Sequence, residues 1–152
     1  MKMSKVISPE KAAELIQDGC TLAASGFGLA CWNEEMGIAI EERFKKTGHP
    51  KNLTVVHASA VGSRRNAKQG MSHLGYEGLV KRWIGGIAYA SPGMAKLIED
   101  NKIEAYNLPQ GVITQLYREI AAKRPGVITK VGLRTYVDPR LEGAKMNEKT
   151  TE

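Results

Sequence analysis

Apolar positions along the chain change period several times, and each change marks an element. Ala12, Ala13, Leu15 and Ile16 share one face at helical spacing, with Ser8 placed to cap that helix, Pro9 at its first position and Gly19 to stop it. Thr21 to Ser25 is a short run of small and apolar side chains that reads as a strand. Asn33 caps a second helix to about Lys46, in which Glu34 and Glu35 sit at the positive end. Met36, Ile40 and Phe44 recur along it every four residues as a core-facing stripe. Thr47-Gly48-His49-Pro50 is a turn, and Leu53 to Ala58 has the continuous apolar character of a buried parallel strand.

From Ser59 to Ser72 the pattern lapses into glycine, serine and basic residues, which predicts a long loop. Glu77 to Tyr89 holds a third strand ending at Gly85-Gly86, Pro92 to Asp100 a helix, and Ile103 to Leu108 a fourth strand. Gln110 to Ala122 reads as a helix with Val112, Ile113, Leu116 and Ile120 inward. Beyond Pro125 the signal weakens: Gly126 to Tyr136 suffices for a short strand or an ordered extension, and the polar run Lys145 to Glu152 closes no element. Strands alternating with helices at this spacing predict an α/β fold, a doubly wound and mainly parallel sheet with helices on both faces.

Composition narrows the function classes. With 152 residues and 42% hydrophobic content, the chain can bury one core but is too short for two ordinary domains. No apolar run approaches the ~18 residues of a membrane helix, and the amino terminus lacks the apolar centre of a secretory signal, so the expected compartment is the cytoplasm. Cys20 and Cys31 have neither Cys-x-x-Cys spacing nor a histidine in ligand spacing, and are expected as reduced thiols with no metal. The net charge of +6 is dispersed over Lys45-Lys46, Arg64-Arg65 with Lys68, Lys81-Arg82 and Lys123-Arg124, with no interleaved aromatics to stack on bases. That argues against nucleic acid and suits an anionic small molecule, whose phosphates Arg64, Arg65 and Lys68 could reach.

The stretch Asp18 to Asn33, DGCTLAASGFGLACWN, carries the chemistry most visibly. Gly26-Phe27-Gly28 frees the backbone of bulk where the first strand ends, the edge at which parallel sheets bind ligands, although a tight strand-to-helix turn has the same appearance. No Gly-x-Gly-x-x-Gly follows that strand and no Gly-x-Ser-x-Gly occurs, which argues against a dinucleotide fold or a serine hydrolase. His49, His57 and His73 read as loop and strand residues.

The run from Asp18-Gly19 to Gly26-Phe27 resembles the first signature of the family I coenzyme A transferases. Glu77-Gly78-Leu79-Val80-Lys81-Arg82, Ile84-Gly85-Gly86, Asn101 to Val112, Pro125 to Thr129 and Val137-Asp138-Pro139-Arg140 continue the likeness in the family's order. Together they resemble the amino-terminal α-type domain of the acetate/propionate CoA-transferases, enzymes several times longer than this chain. The resemblance implies an α-type domain over residues 1–136, incomplete at the carboxyl end, with a polar extension over 137–152. It also implies coenzyme A as the acyl-CoA substrate rather than a resident cofactor, transfer between short-chain acyl-CoA and short carboxylates, and a partner in the form of a β-type half or subunit. Self-association is expected as well.

In that family a glutamate of the β-type half attacks the thioester, in a Glu-Asn-Gly-like turn that this chain lacks, so no catalytic nucleophile is expected here. Glu77 and Glu142, each followed by glycine, fall in motifs that the resemblance assigns to scaffold. It matches Gln110, in Pro109-Gln110-Gly111, to a glutamine whose amide faces the thioester, and Gly26, Phe27 and Gly28 to a loop whose backbone amides approach the acyl group. Three departures stand out: Cys31-Trp32-Asn33 for Gly-x-Pro, the basic stretch Gly62 to Gly70, and Ile87-Ala88-Tyr89 after the glycine pair. They suggest altered specificity, with Trp32 narrowing the pocket and Arg64 or Arg65 meeting an added negative charge. The alternative is a catalytically inactive fragment or paralogue that serves as a CoA-binding or assembly module.

Overall fold

The computed structural model describes residues 5–150. Four strands, β1 (Thr21–Ala24), β2 (Leu53–His57), β5 (Val80–Gly85) and β6 (Glu104–Asn107), form one parallel sheet in the order β1-β2-β5-β6. Between β2 and β5 lie a small antiparallel hairpin, β3 (Gly62–Ser63) and β4 (Asn66–Gly70), and a 3-10 turn, Met71–Leu74. The helices are α1 (Pro9–Glu14), α2 (Glu34–Thr47), α3 (Pro92–Glu99) and α4 (Gln110–Ala121). Both expected caps are present: Ser8 Oγ accepts from Lys11 N at 3.4 Å and Asn33 Oδ1 from Met36 N at 3.2 Å.

Each strand is added on the same side of the last, and right-handed crossovers stepping one way leave their connections on one face. That face carries the core. Leu53, Val55, Trp83 and Ala105 from the sheet meet Ala13, Ala39, Ile40, Leu74, Met94, Leu97 and Ile98 from α1, α2, the 3-10 turn and α3. After β6 the winding reverses. Ile113 of α4 is fully buried but lies outside that cluster, and the Tyr117 hydroxyl donates to Ala24 O at 3.3 Å and Val56 O at 3.1 Å. α4 therefore runs back across the second face from β6 towards β1, which gives the sheet helices on both sides.

Several details depart from the sequence reading. α1 stops at Glu14, and of its expected inward residues only Ala13 is buried while Leu15 is 71% exposed. The helix is too short to bury a full stripe, and Arg43 anchors its end by donating to Ala13 O at 2.6 Å and Ile16 O at 2.8 Å. Ile120, expected inward, is exposed near the end of α4. The predicted loop contains β3 and β4, whose pairing depends on two glycines rather than a hydrophobic pattern: a Cβ on Gly70 would lie 2.5 Å from Gly62 Cα. Gly126 to Tyr136 forms no strand.

The polar carboxyl-terminal run, expected to close nothing, lies along the outer edge of β6. Asn107 N donates to Ala144 O at 2.9 Å, Met146 N to Ala105 O at 3.0 Å, and Ala105 N to Thr150 Oγ1 at 2.8 Å. Asn147 Nδ2 reaches Ile98 O at 2.9 Å and Ile103 O at 3.0 Å. Polar side chains here satisfy an edge strand's backbone, which leaves no apolar periodicity to read.

The hairpin is fastened to α2 through His73, a buried residue of the 3-10 turn whose Nε2 lies 3.1 Å from Glu34 Oε1 and whose Nδ1 contacts Glu41. Glu34 also accepts from Gly70 N at 3.0 Å, and Tyr76 and Lys45 both donate to Glu41. Burial pushes the Glu41 carboxyl up, but the hydrogen bonds from Lys45, Tyr76 and His73 outweigh it and hold it at about 2.

Two outcomes are expected. Gly70→Ala combines positive φ with a backbone clash and should lose about 2–4 kcal/mol in urea unfolding. Gly19→Ala, at φ +72° with nothing within 4 Å, should lose only about 1 kcal/mol; equal losses would contradict the close approach. A carboxyl depressed from 4.5 to about 2 contributes stability above pH 4.5 that disappears as pH falls towards 2. Wild type should therefore lose about 2 kcal/mol more than Glu41→Gln across that window, allowing for screening of the exposed Lys45 ammonium. Parallel pH profiles would show that the network is not coupled to folding.

Candidate functional site

The carboxyl ends of the four parallel strands open onto short segments of small residues, and these segments meet at residues 59–61. The loop after β1 docks there through its backbone, Gly28 N donating to Ala60 O and Gly62 N to Gly28 O, both at 2.7 Å. Gly26 has φ +119°, and a Cβ on it would stand 3.1 Å from both Ala30 O and Val61 Cγ2, so this approach requires glycine. Phe27 N and Ala30 N exchange hydrogen bonds of 3.0 Å with the opposite carbonyls, and the Phe27 ring is 70% exposed. Two of the three amides expected to face an acyl group, those of Phe27 and Gly28, are thus engaged by backbone carbonyls, of Ala30 and Ala60. The Gly26 N–H has no protein acceptor among the described residues.

On the other side of residues 59–61 stands Gln110, exposed at the first position of α4. Its Nε2 donates to Ser59 Oγ at 3.3 Å, and its Cγ lies over Gly86, where a Cβ would come within 2.7 Å of it and within 2.3 Å of Ala58 O. The turn beneath is tied down by Asn107, whose Nδ2 donates to Gly85 O at 3.1 Å and to Gly86 O, and by Leu108 N donating to Gly85 O at 3.0 Å. The Tyr136 hydroxyl donates to Asn107 O at 3.2 Å. Gln110 and the glycine loop, far apart in sequence, therefore share one support.

His57, at the end of β2, joins the two halves from below. It is almost completely buried, and its Nδ1 packs on the backbone of Ser59, against the carbonyl oxygen and 3.1 Å from the amide nitrogen. Burial pushes its imidazole pKa down, with the carbonyls of Ser59, Gly26 and Ser25 opposing. Sequence reasoning gave none of Ser59, Gly86, Asn107 and His57 a role at the site: Gly86 and Asn107 fell within motifs of the resemblance, and His57 read as a loop or strand residue.

The remaining candidates are placed elsewhere. Trp32 folds against α2, its ring 3.2 Å from where a Gly37 Cβ would be, and lines a cavity of about 200 Å³ with Leu22, Ala24, Met36 and Ile40. Its Nε1 is buried without a hydrogen-bond partner among the described residues. Arg64 and Arg65 lie exposed at the tip of the β3–β4 hairpin, with no ion pair among the described residues. Glu77 precedes β5, at the opposite edge of the sheet, and pairs with Lys102 at 3.3 Å. Glu142 lies exposed in the carboxyl-terminal segment. A hollow of about 580 Å³ is bordered by Gln115, Glu119 and residues 124–128, at the far end of α4 from Gln110. Among the described residues no cluster could hold a metal ion, and no helix is long and apolar enough to cross a membrane.

Comparison with known proteins places the whole chain in one family. Residues 6–151 match the family described as Coenzyme A transferase. The chain is 54% identical over 150 residues to the caffeate CoA-transferase of Acetobacterium woodii and 42% identical over 148 to the acetate CoA-transferase YdiF of Escherichia coli K12. These matches cover 99% and 97% of this chain but 28% of each relative. The alpha subunit of the acetoacetyl-CoA:acetate/butyrate CoA transferase of Clostridium acetobutylicum is 27% identical, with 89% of this chain matched to 58% of that one. Among solved structures, the YdiF apoenzyme of E. coli O157:H7 superposes with a TM-score of 0.90 at 41% identity, covering 97% of this chain and 28% of that one. Glutaconate coenzyme A-transferase of Acidaminococcus fermentans shares the fold, with a TM-score of 0.59 at 18% identity, over 87% of this chain and 40% of that one. With the match running almost from end to end and the sheet superposing on solved relatives, the chain belongs to the coenzyme A transferase family.

Proposed function

We propose that this chain is the amino-terminal part of an enzyme that moves coenzyme A between acyl-CoA and short carboxylates, and that it supplies one wall of the reaction site. Residues 1–136 form the α-type domain in this reading, and 137–152 are its polar carboxyl-terminal extension, of which 144–150 lie along β6. The observation that carries it is the Gln110 amide, held over Gly86 at the carboxyl edge with a second N–H that has no acceptor among the described residues.

Transfer without hydrolysis needs a covalent relay. A glutamate carboxylate of the β-type half attacks the thioester carbonyl, and the C–S bond breaks to give an acyl anhydride and the CoA thiolate. The thiolate then attacks the glutamyl carbonyl, forming a glutamyl-CoA thioester and releasing the first carboxylate. The second carboxylate reverses both steps, so the glutamate is regenerated. Each attack creates an oxyanion, and a donor already aimed at it is worth roughly 3–4 kcal/mol. Gln110 and the Gly26 N–H serve as those donors, with Phe27 and Gly28 shaping the wall beside them. Coenzyme A is substrate rather than resident cofactor.

Exposed Phe27, Leu29, Ile87 and Tyr89, in the loops after β1 and β5, offer the β-type half an apolar surface, and copies of the completed unit associate with one another. Arg64 and Arg65, free of acidic partners among the described residues, favour acceptors or phosphates with extra negative charge. Trp32 acts on specificity indirectly, by fixing the loop after β1 against α2. The cytoplasm is the compartment in which such acyl-CoA exchange takes place.

The internal use of the Phe27 and Gly28 amides favours a second reading, an assembly or CoA-binding module without turnover. Assaying the chain with a separately supplied β-type half separates the two, using acetyl-CoA as donor and propionate and caffeate as acceptors. Transfer should appear only in the mixture, and Gln110→Ala should lower kcat about 100- to 1,000-fold. Transfer by the isolated chain would contradict the external nucleophile, and no transfer in the mixture would favour the module.

A further inference from the structure

We propose that Ser59 is a positioning residue for Gln110, its hydroxyl holding the amide over Gly86 so that one N–H is engaged and the other stays directed to the reacting carbonyl. This deepens the reading of Gln110 given above and rests on it. Gln110 is exposed and begins a helix, where a long side chain ordinarily samples several rotamers. Ser59 Oγ, 3.3 Å from Nε2, is its only polar side-chain partner among the described residues. Gly86 gives the stem a flat bed but no hydrogen bond. Without the hydroxyl, nothing among the described residues keeps the amide at the strand ends.

Ser59 is itself fixed. Its backbone is held at His57 Nδ1, which contacts Ser59 O and lies 3.1 Å from Ser59 N, and the next residue, Ala60, accepts from Gly28 N at 2.7 Å. His57 is buried and has no role as a base in this arrangement; it anchors the backbone from which Ser59 reaches up. The series His57, Ser59, Gln110 thus transmits the rigidity of the sheet to a side chain that would otherwise be mobile, and a preorganised donor loses no reorganisation energy during reaction.

The test uses the chain completed by its β-type half. Ser59→Ala should lower kcat about 3- to 10-fold, the effect of one neutral hydrogen bond, with KM for acyl-CoA changed less than about twofold. Ser59→Thr, which keeps the hydroxyl, should restore most of the rate. Adding Ser59→Ala to Gln110→Ala should reduce the rate no further, because the two residues act as one unit. In parallel, 15N relaxation of the Gln110 side-chain amide should show it ordered in wild type and mobile in Ser59→Ala. Losses that multiply in the double variant, or a wild-type rate in Ser59→Ala beside an impaired Gln110→Ala, would overturn the role of Ser59. An unimpaired Gln110→Ala enzyme would instead remove the reading of Gln110 itself, and the Ser59 role with it.

Discussion

Close backbone approach at the carboxyl edge of the sheet is the constraint on which the rest depends. Parallel strands deliver four chain segments to one edge, but side chains of ordinary size would keep those segments apart. Gly26, Gly62, Gly70 and Gly86 remove that obstacle, each at a point where a Cβ would meet other atoms within about 3 Å. The loop after β1 and the start of α4 can then both rest on residues 59–61. Three polar contacts complete the junction: Gly28 N to Ala60 O, Gln110 to Ser59 Oγ, and His57 Nδ1 to the Ser59 backbone.

The core supports this edge from one side only. Its large buried side chains, Trp83, Leu53, Leu74, Met94 and Ile103, all belong to the layer shared with α1, α2 and α3. α4 covers the second face with far less burial, Ile113 being its one fully buried apolar side chain. Its crossing towards β1 leaves the outer edge of β1 without a strand partner among the described residues, while Lys145 to Thr150 occupy the β6 edge.

Legibility followed the physics of each element. β2 and the Met36, Ile40, Phe44 stripe were readable because burial imposes a period, and Ser8 and Asn33 because a cap needs an acceptor side chain. The β3–β4 hairpin was not, since glycine contacts build it and leave no pattern of side chains. Nor was the carboxyl-terminal segment, whose Asn147 and Thr150 act on backbone groups of β6 and its neighbours. At the site, the family resemblance pointed to Gln110 and the glycine loop, but not to Ser59 or Asn107. Those two matter through tertiary hydrogen bonds 51 and 21–22 positions away in the chain, a separation that local pattern cannot register.

The most direct measurement is a crystal structure of the completed protein trapped with a bound acyl-CoA or its glutamyl thioester. The reacting carbonyl oxygen is predicted to lie about 3 Å from Gln110 Nε2, on the side away from Ser59, with the attacking glutamate contributed from outside residues 1–152. A carbonyl bound at the opposite edge of the sheet, or a nucleophile drawn from this chain, would contradict it.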